Sequence, residues 1–459
     1  MFEHLNGFLK RLRIGGDDDR TLFFASRLKA ERIAELCENV QYKYRERIYS
    51  PAITVWMFLC QVIGDDHSCR KAVAKNNVCR GAAGKTSADP ETGSYCEARK
   101  RLPEKLFSES VREIGYNVSQ IAKADWKWHG FNVKLIDGTT VTMPDTINNQ
   151  KEYPQSSSQV KGGGFPIARL LTVFCLATGA LLELVIGQYA GKLTGETSMV
   201  RDVLSSFFRG DLVLADRLFS SYWMFAYAQR GGFDLVTRAN ATRKINFIER
   251  PGQLRADQIA QYKKPTRPKW MSLEEYALFP RIISVRHVRF EVTIPGFRTK
   301  WVTLATSLLD GELYWVEDLS ILYRKRWQVE LNLRSIKTQM QMDQLRCKTP
   351  SMVRKEIYTH FLAYNLIREA MVESALLCDK RPEQISFKGA KQTLEEFMEA
   401  VRLDADNLEN LYVLTLRNIA EHQVGDRPNR IEPRKVKRPP KKYQRLREPR
   451  YDARKRMTG

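Results

Sequence analysis

Acidic residues are scarce in this chain of 459 residues: 53 Asp and Glu stand against 75 Lys and Arg, a net charge of +22. That imbalance calls for a polyanionic partner. Nucleic acid is the commonest, with an acidic membrane surface as the competitor. Cys-x-x-Cys pairs are absent. The eight cysteines, at 37, 60, 69, 79, 96, 175, 347 and 378, are scattered, which argues against a zinc site or a disulfide framework and reads as reduced, mostly buried thiols of a cytosolic protein. Long apolar runs are absent too. The opening MFEHLNGFLKRLR has neither an apolar core nor a cleavage site, so no secretion signal is expected. The stretch 167–187 is uncharged only between Arg169 and Glu183, too little for a span of about 20 residues. Its central Thr178-Gly179-Ala180 reads as a turn between strands at 170–176 and 181–186. There is no G-x-S-x-G elbow, no P-loop and no internal repeat, so neither an activated serine nor a nucleotide cofactor is expected.

What is present falls into blocks. Residues 1–125 read as mainly helical, with helical spacing over 26–39, a start at Pro51, a loop over 81–93 and a basic helix over 94–102. Two short basic helices between Ser68 and Leu102 form a candidate DNA-docking unit; a helical domain with a solvated basic face is the plainer alternative. From Phe131 the period changes to that of strands. Strands are expected at 131–136, in the hairpin, at 211–215 and at 233–237, with helices at 195–208 and 219–229. The order is strand, strand, strand, helix, strand, helix, strand, which is that of an RNase H-like mixed sheet flanked by helices. Residues 238–305 alternate basic and apolar residues among prolines and read as a β-rich insertion, with strands at 282–288, 289–294 and 301–304. Helices follow at 351–377 and within 394–424. The tail from Asp426 is dense in Lys, Arg and Pro and is expected to be disordered and to bind polyanions.

The chemistry centres on 323–337, YRKRWQVELNLRSIK. Tyr323, Arg326, Glu330 and Lys337 are offset by three, four and seven, which returns them to nearly one face of a 3.6-residue helix. A carboxylate ringed by Arg, Lys and Tyr suits a site for a divalent cation and phosphate; an intrahelical Arg326–Glu330 ion pair is the plainer alternative. Upstream, Asp137 and Asp216 each stand at the C-terminal end of an expected strand, where ligands gather on an open sheet. A strand-end Asp is more often a cap or turn former, so each is weak alone. Two carboxylates about 4 Å apart repel by about 4 kcal/mol at an effective dielectric near 20. Three converging acids therefore take up protons unless divalent cations hold them apart. An oxygen-only donor set selects Mg²⁺ or Mn²⁺.

The order Tyr-x2-Arg-x3-Glu-x6-Lys resembles the YREK signature of DDE transposases of the insertion-sequence-four type. Asp137 heads an Asp-Gly-Thr segment and Asp216 heads Asp-Arg-x-Phe with Arg217 and Phe219. The text around Leu345, Arg346, Lys348, Thr349 and Pro350, and from Tyr364 to Arg368, also looks like that family. The resemblance covers roughly 90–370. It implies an α/β, RNase H-like catalytic core interrupted by a β-rich insertion, with helical N-terminal and C-terminal regions. It implies that Asp137, Asp216 and Glu330 are catalytic and hold two Mg²⁺, with Mn²⁺ able to substitute. Tyr323, Arg326 and Lys337 would contact DNA phosphates, with Arg217 and Trp327 as further DNA-binding candidates. Trp270 or Trp301 could stack on an unpaired base, although a core position is the commoner fate of a single Trp.

The implied division is a DNA-binding region at 1–125, core at 126–237, insertion at 238–305, core with the YREK helix at 306–375, a helical dimerisation candidate at 376–425 and the basic tail at 426–459. The implied activity is Mg²⁺-dependent cleavage and strand transfer of double-stranded DNA at terminal inverted repeats by a cytoplasmic, nucleoid-associated homodimer, without ATP or a membrane. An RNase H-like nuclease or resolvase, a domesticated DNA-binding protein without catalysis, and a basic membrane-surface protein are the alternatives.

Overall fold

The computed structural model describes residues 27–191, 194–240, 255–292, 301–403, 407–425 and 448–458, with 243, 245 and 247 besides. The opening residues 1–26 and the tail from 426 to 447, where expectations were also stated, lie outside the described residues. The N-terminal part is helical: α1 (Ala30–Asn39), α2 (Pro51–Ile63), α3 (Cys69–Ala82), α4 (Gly93–Arg101) and α5 (Glu104–Gln120). Ser50 caps α2, its hydroxyl accepting from Ile53 N at 3.4 Å, and Pro51 follows at a position that needs no donor.

The sheet begins as expected. β1 (Asn132–Thr142), β2 (Ile167–Cys175) and β3 (Leu181–Gln188) form an antiparallel meander, while β4 (Asp211–Ala215) and β5 (Asp234–Arg238) continue parallel to β1. A short helix, α6 (Ile147–Glu152), lies between β1 and β2. The helices α7 (Glu196–Val203) and α8 (Tyr222–Gly231) make the crossovers to β4 and β5. The strand order β3-β2-β1-β4-β5, with β1, β4 and β5 parallel, is that of the RNase H-like core.

Beyond β5 the sequence reading needs correction in detail. The structure adds β6 (Arg255–Lys263), which was not expected, then α9 (Leu273–Ala277). The strand β7 (Ile282–Glu291) is continuous where two strands were expected, and β8 (Trp301–Thr306) follows. These strands do not form a sheet of their own. β8 pairs antiparallel with β5, and the full order is β3-β2-β1-β4-β5-β8-β7-β6. The edge of a core sheet presents unpaired N–H and C=O groups, and joining it satisfies them at once. Buried Arg286 on β7 reinforces this extension, donating to Asp257 Oδ1 at 2.8 Å and to the Tyr314 carbonyl at 2.8 Å.

After β8 come α10 (Val316–Arg324), α11 (Gln328–Arg334), α12 (Pro350–Leu377), α13 (Phe387–Leu403), α14 (Leu408–Glu421) and α15 (Arg450–Thr458). Helix α15 lies in the tail that was expected to be disordered. Arg450 anchors it: the guanidinium lies 3.7 Å from the Phe165 ring centroid and donates to Asp145 and to the Gly164 carbonyl, each at 3.0 Å. No helix among the described residues is long and apolar enough to cross a membrane. Of the eight cysteines only Cys37 and Cys175 are buried and the other six are half-buried, against the expectation of mostly buried thiols.

Strand alternation sorts the core into two layers. Val133, Leu135, Leu212 and Leu214 face α5 and α12. Ile136, Val213 and Ala215 face α7 and α8. Three elements lock at Asn365 of α12, which is wholly buried. Its amide donates to Val111 O of α5 at 3.1 Å and Leu181 O of β3 at 2.9 Å, and accepts from Leu181 N at 2.8 Å. Gly115 lets α5 come this close, since a Cβ there would fall 1.9 Å from the Leu181 carbonyl. Asn365→Ala removes three buried hydrogen bonds and strands their backbone partners, and should cost roughly 3 kcal/mol. Denaturant unfolding should read this as a lowered midpoint, and an unchanged midpoint would refute the junction's role.

Candidate active site

The register between β1 and β4 sets the site. Val133 pairs with Leu212 and Leu135 with Leu214. Carried on by two residues, the same register brings Asp137 level with Asp216 on neighbouring parallel strands, whose spacing is about 4.8 Å. Asp137 is not at a strand end, as the sequence suggested, but in the middle of the long β1. It is β4 that stops, at Ala215, leaving Asp137 at the lip where its neighbour ends. By alternation Asp137 lies on the Leu135 face, toward α11. Beyond Ala215 the chain turns tightly through Arg217–Phe219, and Asp216 Oδ1 caps this turn by accepting from Leu218 N at 2.8 Å. Phe219 is buried and Arg217 exposed.

The stretch that carries Glu330 is not the uniform 3.6-residue helix that its spacing suggested. Helix α10 ends at Arg324, Lys325–Trp327 tightens into a 3₁₀ turn, α11 runs to Arg334, and Ser335–Gln339 widens into a π turn. A tight turn followed by a wide one partly restores the phase, and buried Val329, Leu333 and Ile336 still seat the stretch on the core. Three of its side chains reach the sheet, and Arg326 ties Glu330 to it. The Tyr323 hydroxyl donates to Ala215 O at 3.2 Å, immediately before Asp216. Arg326 donates through Nη2 to Glu330 Oε1 at 2.9 Å and extends Nη1 to Asp137 Oδ2 at 3.8 Å. Lys337 donates to Thr139 Oγ1 at 3.1 Å and Thr140 O at 2.9 Å. The expected i,i+4 ion pair exists, and it also bridges to the first aspartate. Trp327 is 48% exposed beside them. Trp270 instead packs onto the core near Trp223, with Arg201 over its ring at 4.2 Å. Arg289 covers Trp301 at 4.7 Å.

The electrostatics are those of crowded acids. Burial pushes the Asp137 carboxyl up to about 6; Glu196 and Asp216 add to the rise, and the Gly138 N–H and Arg326 oppose it. Burial likewise pushes Tyr323 up to about 12 and lowers Lys337. Glu196, the first residue of α7, is the acid that motif reading missed. It sits against Gly138, bonded to Arg169 at 3.2 Å, and its carboxyl is raised by burial and by Asp216. A lone Glu after a Gly carries no spacing signal, so only the fold reveals it. Among the described residues, no three His, Cys, Asp or Glu side chains stand close enough to share a metal ion as they are arranged here. The guanidinium of Arg326 lies between Asp137 and Glu330 instead.

A family model described as a transposase DDE domain matches residues 128–366, just over half of the chain. The chain is 25% identical over 304 residues to the transposase InsG for insertion sequence element IS4 of Escherichia coli strain K12, covering 63% of this chain and 64% of that one. It thus spans a little under two thirds of that relative's length. The transposase for insertion sequence element IS421 of Escherichia coli is 37% identical over 73 residues, covering 16% of this chain and 19% of its own. A solved piggyBac transposase synaptic complex with hairpin DNA aligns over 87% of this chain and 85% of that one, with a TM-score of 0.42 at 13% identity.

The raised Asp137 carboxyl has a pH signature. Between its ordinary value of 3.8 and about 6 the folded protein holds a proton there that the unfolded chain does not. Its contribution to stability is complete below 3.8 and is lost as pH rises through about 6. Asp137→Asn removes this loss, so in the absence of metal the variant should gain on the parent by roughly 2–3 kcal/mol from pH 4 to pH 7. Denaturation across that range tests it, and a stability difference independent of pH would contradict it.

Proposed function

The chain belongs to the DDE transposase family, and from that premise we propose that it is the DNA transposase of an insertion sequence, cutting double-stranded DNA at terminal inverted repeats and joining the freed ends to a target. What supports the reading is the β1–β4 register, which leads on to Asp137 and Asp216, together with Arg326, which links Glu330 of a separate helical element to Asp137. Asp137, Asp216 and Glu330 would hold two divalent cations, Mg²⁺ or its substitute Mn²⁺. The donor set supports this: it is all oxygen, and burial drives the Asp137 carboxyl upward although Arg326 opposes the rise. Bound there, the cations would make the attacking oxygen nucleophilic and stabilise the leaving oxygen of an in-line displacement at phosphorus.

The protein's own side chains do the positioning. Arg326, which spans Asp137 and Glu330, turns to the phosphate once other positive charge meets those carboxylates, and offers a planar pair of donors. Lys337 is tied to Thr139 and Thr140 at the other side of Asp137 and presents its ammonium to a neighbouring phosphate. Tyr323 braces the end of β4 through Ala215, fixing Asp216, and reaches DNA only by leaving that carbonyl. Exposed Arg217 and Trp327 flank the site as DNA contacts. Water is the first nucleophile, and the freed 3′-hydroxyl is the second. Joining two ends calls for two copies on the DNA, with the helices of 376–425 as the candidate contact. The basic residues of 1–125 and of the tail contribute to DNA affinity.

Glu330→Gln should leave binding to element ends intact and abolish Mg²⁺-dependent cleavage in a strand-nicking assay; normal cutting by this variant would overturn the assignment. Removing residues 426–459 should weaken DNA binding and flatten its dependence on salt, because fewer counterions are released. An unchanged slope would exclude the tail from the interface.

A further inference from the structure

Glu196 reaches the acidic lip from the wrong side of the sheet. It opens α7, in the layer behind the sheet, whereas Asp137 faces α11 in front. By alternation Gly138, like Ile136, faces α7. The carboxyl of Glu196 occupies the space that a side chain at 138 would need: a Cβ there would fall 2.2 Å from Cδ and 2.3 Å from Oε1. Arg169 on β2, level with Thr140 of β1, holds Oε1 at 3.2 Å and lies 5.0 Å from the Tyr189 ring centroid. The carboxyl acts electrostatically on both Asp137 and Asp216.

Two features of this arrangement work against the fold. A partly buried carboxylate near enough to two others to interact with their charge adds repulsion. A glycine inside a strand loosens it and marks a close approach. An ion pair with Arg169 alone needs neither, because it would form as well with Glu196 farther from Asp137 and a side chain at 138.

We propose that Glu196 is a positioning residue of the divalent-cation site, a fourth carboxylate brought up behind β1 from the opposite layer into the space that Gly138 leaves. This rests on the reading of Asp137, Asp216 and Glu330 as cation ligands. The Gly138 backbone stands between Glu196 and the front face, and Arg169 engages one oxygen, so the carboxylate would be no direct ligand. Held in place by Arg169, it would act on a bound cation through its charge and raise affinity. Such outer contacts are worth about 10- to 100-fold in metal affinity.

The test is Mn²⁺ binding by the full-length protein without DNA, followed by the electron paramagnetic resonance of unbound Mn²⁺. Glu196→Gln keeps an acceptor for Arg169 and removes the charge. It should weaken Mn²⁺ binding about tenfold, while the melting temperature of the metal-free protein stays the same or rises. Glu196→Asp should recover part of the affinity. Gly138→Ala, which displaces the carboxyl, should weaken binding in the parent and have little further effect in the Glu196→Gln background. Parental Mn²⁺ affinity in Glu196→Gln overturns the proposal. So does a loss of affinity matched by a lowered metal-free melting temperature, which would make Glu196 a strut for Arg169. Asp137→Asn forms a separate arm: if it binds Mn²⁺ as the parent does, the three-acid reading fails, whatever Glu196 does.

Discussion

Repulsion among carboxylates governs this molecule. The parallel β1–β4 ladder pairs Leu135 with Leu214, and Asp137 and Asp216 each follow two residues further on. Burial already lifts the Asp137 carboxyl, and the neighbouring charges of Glu196 and Asp216 add to the rise. The surroundings answer with positive charge. Arg326 spans from Glu330 to Asp137, Arg169 holds Glu196, and Lys337 stands over Thr139 and Thr140.

The helical stretch over the site is irregular. On a regular α-helix, at 100° per residue, Tyr323, Arg326, Glu330 and Lys337 would share one face and Val329, Leu333 and Ile336 the face beside it. The 3₁₀ turn at Lys325–Trp327 and the π turn at Ser335–Gln339 adjust the phase on either side of Glu330. Such irregular turns are less favourable than regular helix, and here they coincide with the residues that face the acids.

The same view accounts for what the chain revealed before folding and what it hid. The five core strands and their crossover helices were legible because each carries its own hydrophobic period, from the hairpin around Thr178-Gly179-Ala180 to the short run ending at Ala215. The stripe of Tyr323, Arg326, Glu330 and Lys337 was legible as a helical spacing, and the Arg326–Glu330 pair within it is present. Three things were not legible. β6 carries charged and polar residues, since it lies at the sheet edge, and so lacks a strand-like apolar run. The length of β1 was hidden because Asp137, Gly138 and two threonines interrupt its apolar pattern, although backbone pairing with β2 continues past them to Thr142. The order at Arg450–Thr458 depends on a socket formed by Asp145, Gly164 and Phe165, far away in the chain.

By itself, then, the sequence determined which residue types were available and at what local spacing: a basic chain, three acids in order, and a helix-period stripe ending at Lys337. Those are properties of neighbours along the backbone, and short-range sterics and hydrophobic period fix them. Only the tertiary structure decided which distant groups meet. The level of Asp137 with Asp216 follows from inter-strand hydrogen bonding. The arrival of Glu196 from the opposite layer depends on a missing side chain at Gly138, and the attachment of β8 to β5 depends on an edge that exists only once the sheet has formed. Contacts of that kind arise between surfaces rather than between consecutive residues, so no local pattern encodes them.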